Sequence, residues 1–375
     1  VDPAAIVERF QRQFGQPPRL FRAPGRVNLI GEHTDYSGGF AMPAAIDRAC
    51  IVAIAKNNTG LLRIISITLD DRVERPAASF QRKDHWSDYV AAPIAALQAE
   101  GHTVAGMDIL LESSVPLGAG VSSSAAVGVA TSLALMTLEG AAPEKAALHR
   151  IAWAAEKTFV GAPCGPMDQY ASINGRAGQA LMLDCRSLTA TPVPIPPDTT
   201  ILVIDSGIKH AVRDGGYIAR RQDCEAAAAA LGVTLLRDAN LGMIEGGLLD
   251  ERQRQRARHV VTENQRVLDA ANALRKGDAT ALGHLMQASH ASLRDDFDAT
   301  CPETDELAAI ANATKGVFGA RQMGGGFGGC VVALTQTSQT EDAAAAIAFR
   351  YQEATGKPGK WFTCQLADGA GEITP

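Results

Sequence analysis

The chain has 375 residues, of which 46% are hydrophobic and 20% charged, and its formal net charge is −6. That length predicts two or three domains. The acidic balance, the lack of a polybasic run and an aromatic content of 5% argue against nucleic acid or an anionic membrane as partner. Seven scattered cysteines with no C-x-x-C pair point away from a zinc site or a disulfide framework. They fit a reducing compartment, so a cytoplasmic location is expected. The first fourteen residues lack the apolar run of a secretory signal. The apolar stretch 125–138 is too short to span a bilayer.

In chain order, the apolar residues 27–30 predict a short strand just after Pro24 and Gly25. Branched, partly alternating residues predict strands over 51–55, 62–67 and 107–111. Helical spacing appears over 88–99, 125–138 and 145–159. Prolines at 192, 194, 196 and 197 mark 191–197 as a linker, because they forbid helix and resist central-strand pairing. A strand over 201–205 follows, then helices over 217–231, 257–276 and 279–293. The Arg- and Gln-rich run 251–258 reads as a solvated helix face. Glycines at 324–329 lead into a strand over 330–334, and a last helix covers 341–355. The pattern predicts two α+β domains, 1–195 and 196–375, with a cleft between them. Residues 70–90 and 232–256 carry no motif.

Two segments carry chemistry. In 25–36, Arg26, Glu32, His33 and Asp35 collect four charged or titratable groups on a strand end. Such a rim suits a polyhydroxylated ligand, since a carboxylate accepts hydrogen bonds from two hydroxyls at once; a salt-bridged surface loop is the plainer alternative. In 116–126, Pro116-Leu117-Gly118-Ala119-Gly120-Val121-Ser122-Ser123-Ser124 runs into a helix. Its glycines permit close backbone approach, and the free N–H groups and hydroxyls at the helix start form an anion cradle. Ordinary capping needs only one serine. Gly324, Gly326 and Gly329 satisfy G-x-G-x-x-G, but they precede a strand, so they read as a close-packing turn rather than a dinucleotide loop.

Segments 25–36, 116–126 and 319–330 resemble, in order and spacing, the three motifs of the galactokinase, homoserine, mevalonate and phosphomevalonate (GHMP) kinases. The Glu32-His33-Thr34-Asp35-Tyr36 run is similar to that of the galactokinase family. Residues 155–156, 163–169, His210, Tyr217 with Arg220-Arg221 and Cys224-Glu225, and 368–370 extend the likeness. It implies a two-domain α+β fold, with a ribosomal-protein-like N-terminal domain and a ferredoxin-like C-terminal domain. The implied reaction is Mg²⁺-dependent transfer of the ATP γ-phosphoryl to the C1 hydroxyl of α-D-galactose; a monomer is expected. Asp168 matches the family's base; Pro166 would start a helix and put Asp168 in its first turn, where a carboxylate is favoured. Arg26 matches the active-site arginine that balances charge on the phosphoryl group. Glu32, His33, Asp35, Gly165, Asp168 and Tyr217 would contact sugar, and residues 116–124 would hold ATP. Ser124 or Ser123, together with Glu156, would hold Mg²⁺. An N-acetylgalactosamine kinase and a non-catalytic galactose sensor are the alternatives. The chain departs from the family at Ser37 and at Gln322-Met323, beside the motifs and not at their charged positions.

Overall fold

The computed structural model describes residues 1–140, 143–162, 164–208 and 215–375. Its first half is built on a six-stranded mixed sheet, in the order Gly371–Ile373, Arg19–Asn28, Pro43–Asn57, Gly106–Ser113, Leu61–Ser66, Asp71–Pro76. All neighbours are antiparallel except Leu61–Ser66 against Gly106–Ser113. Successive side chains of a strand face opposite ways, and Pro43–Asn57 uses both faces. Cys50, Val52 and Ile54 enter the main core under the helices Asp88–Ala99 and Ser123–Leu138. Ile51, Ala53 and Ala55 pack with Ile6 and Phe10 of the helix Pro3–Phe14. That helix was not read from the sequence, although Asp2 caps its start and Gly15, at φ +74°, ends it.

The second half holds an antiparallel sheet in the order Val317–Met323, Cys330–Gln336, Thr199–Asp205, Trp361–Cys364. Helices Pro302–Asn312 and Thr340–Thr355 cover one face through Leu307, Ile310, Ile347 and Tyr351. The other face joins the main core, where Val203, Val332 and Leu334 meet Val267 and Met286. A continuous apolar core therefore crosses the cleft floor.

Several expectations change. The strand placed at 27–30 is Arg19–Asn28, with Pro24 and Gly25 inside it at a register shift. A Cβ on Gly25 would lie 2.6 Å from the Val121 carbonyl oxygen, so glycine there lets the loop 116–122, the expected phosphate loop, lie on the strand. The proline-rich segment is no linker. Thr189–Pro194 is an edge strand beside Gln179–Asp184, a position that tolerates residues with no N–H to donate. The run 251–258 starts the helix Glu251–Arg275, but Arg256 is buried and donates to the Asp296 carbonyl at 2.5 Å, so only part of that face is solvated. Residue 195 remains our proposed division for most of the chain, with Gly371–Ile373 crossing back to the first sheet.

The helix Ala279–Asp295 meets Val317–Met323 backbone to backbone: a Cβ on Gly283 would lie 2.1 Å from the Phe318 oxygen. Gly283→Ala is expected to destabilise the fold by about 1–3 kcal/mol through overpacking. Gly128→Ala, in open space on the helix Ser123–Leu138, should be neutral or stabilising by up to about 1 kcal/mol. Denaturant unfolding of the two variants checks both.

Candidate active site

Arg26 projects from the first strand and is 5% exposed. Its Nε and Nη2 donate to the two oxygens of Asp168 at 2.8 Å each, and its Nη1 donates to the Gly120 carbonyl at 2.5 Å. This fork is the strong, directional form of an arginine–carboxylate contact. Asp168 lies in the first turn of Met167–Asn174 with Pro166 at the cap, as the sequence predicted. The far end of that helix is tied down too. Ser172 Oγ donates to the Pro24 carbonyl, the Ala370 N–H to the Ser172 carbonyl, and Asp368 accepts from the Ala177 N–H. The 368–370 motif thus acts as a clamp on the helix that carries Asp168.

The phosphate loop ends at Ser122, which adopts φ +60° and ψ +51°, a conformation uncommon outside glycine. That turn aims its hydroxyl at Asp168, to which it donates, and not at the helix start. The helix Ser123–Leu138 consequently has no side-chain cap, and its first N–H groups are left for an anion. Gly118 and Gly120 hold φ of +74° and +67°. Gly118, Gly120, Ser122, Ser123 and Ser124 line the cleft, whereas Pro116, Leu117, Ala119 and Val121 do not. Ala119 and Val121 are core anchors, and Leu117 is 56% exposed.

Across the cleft, Glu32 is 3% exposed and accepts hydrogen bonds on both oxygens. Arg321 donates to it through both Nη atoms, Asn28 Nδ2 donates at 3.0 Å, and the Gly324 N–H donates to its Oε1 at 2.9 Å. His33, at φ +59°, places Nδ1 3.0 Å from the Tyr36 hydroxyl. Its buried Nε2 has no partner and its ring lines the cleft. Burial, with His259 and Arg220 nearby, pushes this imidazole down to about 3, so it is neutral at physiological pH. Asp35 sits against Gly165, where a Cβ would lie 2.0 Å from its Oδ2, so only glycine fits. Burial and then the Asp168 charge push the Asp35 carboxyl up to about 7. Tyr217, in the first turn of Gly216–Ala230, lies 5.4 Å from the His33 ring and 5.6 Å edge-on from that of Tyr36.

Glu156 falls where the helix Lys145–Ala154 widens into a π turn, Ala155–Val160, a feature frequent at functional sites. Gln169 Nε2 donates to it at 2.6 Å. Burial pushes its carboxyl up to about 7 against a Ser124 hydrogen bond, with Asp168 adding to the rise. All the expected charged and hydroxyl groups therefore meet in one cleft. His210 and Pro163 lie outside the described residues. Sequence reasoning missed Arg321, Asn28, Tyr89, Cys164 and Met323. Of these, Asn28, Arg321, Met323 and Cys164 stood inside quoted motifs, and none of the four had a periodicity that set it apart.

Residues 8–56 match the galactokinase galactose-binding signature, 88–176 the GHMP kinase N-terminal domain and 270–355 the GHMP kinase C-terminal domain. The galactokinase of Roseiflexus sp. (strain RS-1) is 42% identical over 100% of this chain and 98% of its own length. The chain belongs to the galactokinase family. The galactokinase of Actinobacillus succinogenes is 40% identical, with 96% of each chain covered. Among solved structures, Lactococcus lactis galactokinase complexed with galactose superposes with a TM-score of 0.94 at 30% identity, over 99% of both chains. Methanococcus jannaschii mevalonate kinase, 15% identical, shares the fold at a TM-score of 0.68, over 94% of this chain and 99% of its own.

Two expectations follow from the buried carboxylates. Asp35 accepts hydroxyl donors best when ionised, and its carboxyl titrates at about 7 in the ligand-free protein. Galactose affinity should therefore fall as pH drops below 7, approaching about tenfold per unit. Asp35→Asn should flatten that profile, as calorimetric titration between pH 5.5 and 8.5 would show. Arg321→Ala strands the buried Glu32 charge and should cost about 3–5 kcal/mol of stability by denaturant unfolding.

Proposed function

We propose that this chain transfers the γ-phosphoryl group of ATP to the C1 hydroxyl of α-D-galactose, giving galactose 1-phosphate and ADP. The observation that carries the reading is the Arg26 fork on Asp168, set where the phosphate loop meets the sugar motif. Phosphoryl transfer depends mostly on positioning and charge stabilisation, and this arrangement supplies both. Asp168, immobilised by Arg26 and Ser122, orients the C1 hydroxyl and takes its proton as the phosphoryl group leaves ADP. Arg26 and the uncapped helix N-terminus balance charge on the phosphate oxygens. His33 Nε2, Asp35 and the remaining acceptor capacity of Glu32 fix the other sugar hydroxyls, while the Tyr217 ring supplies an apolar face.

The ATP is expected to arrive with Mg²⁺. The residues present fit the ion: Glu156 is a half-buried carboxyl pushed up to about 7, Ser124 and Asp168 bring further oxygens beside it, and the Arg26 charge, forked onto Asp168, only partly offsets the rise. Glu156 and the hydroxyl of Ser124 or Ser123 would hold it, and the ion would neutralise and orient the triphosphate.

The deciding experiment is Mg²⁺-dependent ATP consumption by the purified protein with galactose, N-acetylgalactosamine and glucose. Turnover with galactose, far above the others, is expected. Turnover only with N-acetylgalactosamine would overturn the sugar, and sugar binding without any turnover would overturn the enzyme in favour of a sensor. Asp168→Asn should lower kcat by about 10²- to 10⁴-fold while calorimetric galactose binding survives. Near-native turnover of that variant would remove Asp168 from the proton-accepting role.

A further inference from the structure

Residues 29–39 contain one short 3₁₀ turn and no other helix or strand, yet they carry the sugar-facing groups. Their backbone is gripped by side chains from the long helix Glu251–Arg275 in the other half of the chain. Glu263 is fully buried there. Its Oε1 accepts from the Gly31 N–H at 2.8 Å, from Ser289 Oγ at 2.6 Å and, more weakly, from the Glu32 N–H at 3.4 Å. Its Oε2 accepts from Arg266 Nε at 2.6 Å. One helical turn earlier, His259 Nε2 lies 3.1 Å from the Glu32 carbonyl oxygen. A carbonyl only accepts, so this nitrogen carries the proton.

The same helix holds both ends of the loop. Asn264 Oδ1 accepts from the Phe40 N–H at 2.8 Å, and Val267 packs where a Cβ on Gly31, at φ +92°, would collide with it. Burial opposes ionisation of Glu263, but Arg266, followed by His259 and Arg321, outweighs it and holds the carboxyl down at about 2. Glu263 is thus a standing negative charge beneath two consecutive N–H groups, and neither Glu263 nor His259 lines the cleft. Glu32 is consequently held at its N–H, its carbonyl and its carboxylate, all by residues of the second half. The next residue is His33, in a left-handed conformation that loose backbone would not keep.

We propose that Glu263, assisted by His259, is a positioning residue that sets Glu32, His33 and Asp35 for the sugar, so that sugar affinity is controlled by a carboxylate that never touches it. The inference rests on the assignment of those three side chains to the sugar. Misplacing reacting or binding groups by about 1 Å costs as much as about 10²-fold, and Glu263→Gln replaces an acceptor of four N–H or O–H donors by an amide of weaker acceptance. Ser289→Ala removes one of those donors and leaves the loop contacts in place.

Steady-state kinetics of both variants, with each substrate varied in turn, decide the matter. Glu263→Gln is expected to raise the galactose KM by about tenfold or more while the ATP KM stays within about twofold. Ser289→Ala should shift the galactose KM in the same direction by a smaller factor. A role in stability alone would reduce the active fraction and leave both KM values unchanged, and that result would overturn the proposal, as would equal rises in both. Should Glu263→Gln fail to fold, Ser289→Ala decides by the same split. Were the unmodified chain to phosphorylate a different sugar, the functional reading would fail, and the KM split measured on that sugar would still decide this one.

Discussion

The architecture of the cleft depends on neutralising carboxylates that have been taken out of water. Glu32, Asp35, Glu156 and Asp168 all line it, Glu32 buried and the other three half-buried, and a charge withdrawn from water is tolerated only when paired and hydrogen-bonded. Arg26 is the central answer to that constraint. One guanidinium binds both oxygens of Asp168 and the Gly120 carbonyl, and so joins the first strand, the phosphate loop and the helix that carries Asp168. Arg321 plays the same part for Glu32 and joins the sugar motif to the second sheet.

Charge that is left incompletely neutralised is equally informative. Asp35 and Glu156 share the field of Asp168 and titrate near 7 because burial penalises their ionised forms. Among the described residues neither forms an ion pair, which distinguishes them from Glu32 and Glu263, each paired with an arginine. Two left-handed residues stand in the same cleft. Ser122 and His33 hold conformations that side chains seldom adopt, and both line the cleft.

Close approach of backbones sets the remaining geometry. Gly25 lets the phosphate loop lie on the first strand, Gly165 admits the Asp35 carboxylate, and Gly283 lets a helix rest on the second sheet. These contacts connect distant segments of chain, so a side chain at any of the three would displace a functional element and not merely fill a gap.

The charged and hydroxyl groups of the cleft were legible in the sequence because they are local. Glu32, His33 and Asp35 fall within four positions, the glycines and serines of 116–124 are contiguous, and Pro166 announces the helix that begins before Asp168. Helices 88–99 and 217–231 were legible to within a residue or so from apolar spacing, since amphipathic periodicity records which face is buried. The proline-rich strand was misread because proline reports only what a residue cannot donate, and an edge strand needs donors only on the side that faces its one neighbour. What no local pattern encodes is partnership across the chain. That Arg321 belongs to Glu32, that Glu263 grips Gly31 and that residues 371–373 complete the first sheet are long-range pairings. The sequence by itself determined the family and its reaction, and it pointed to the charged groups that the fold gathers in one cleft. Tertiary structure alone decided which charges neutralise which, because that depends on burial and on distances between segments that the linear chain leaves hundreds of residues apart.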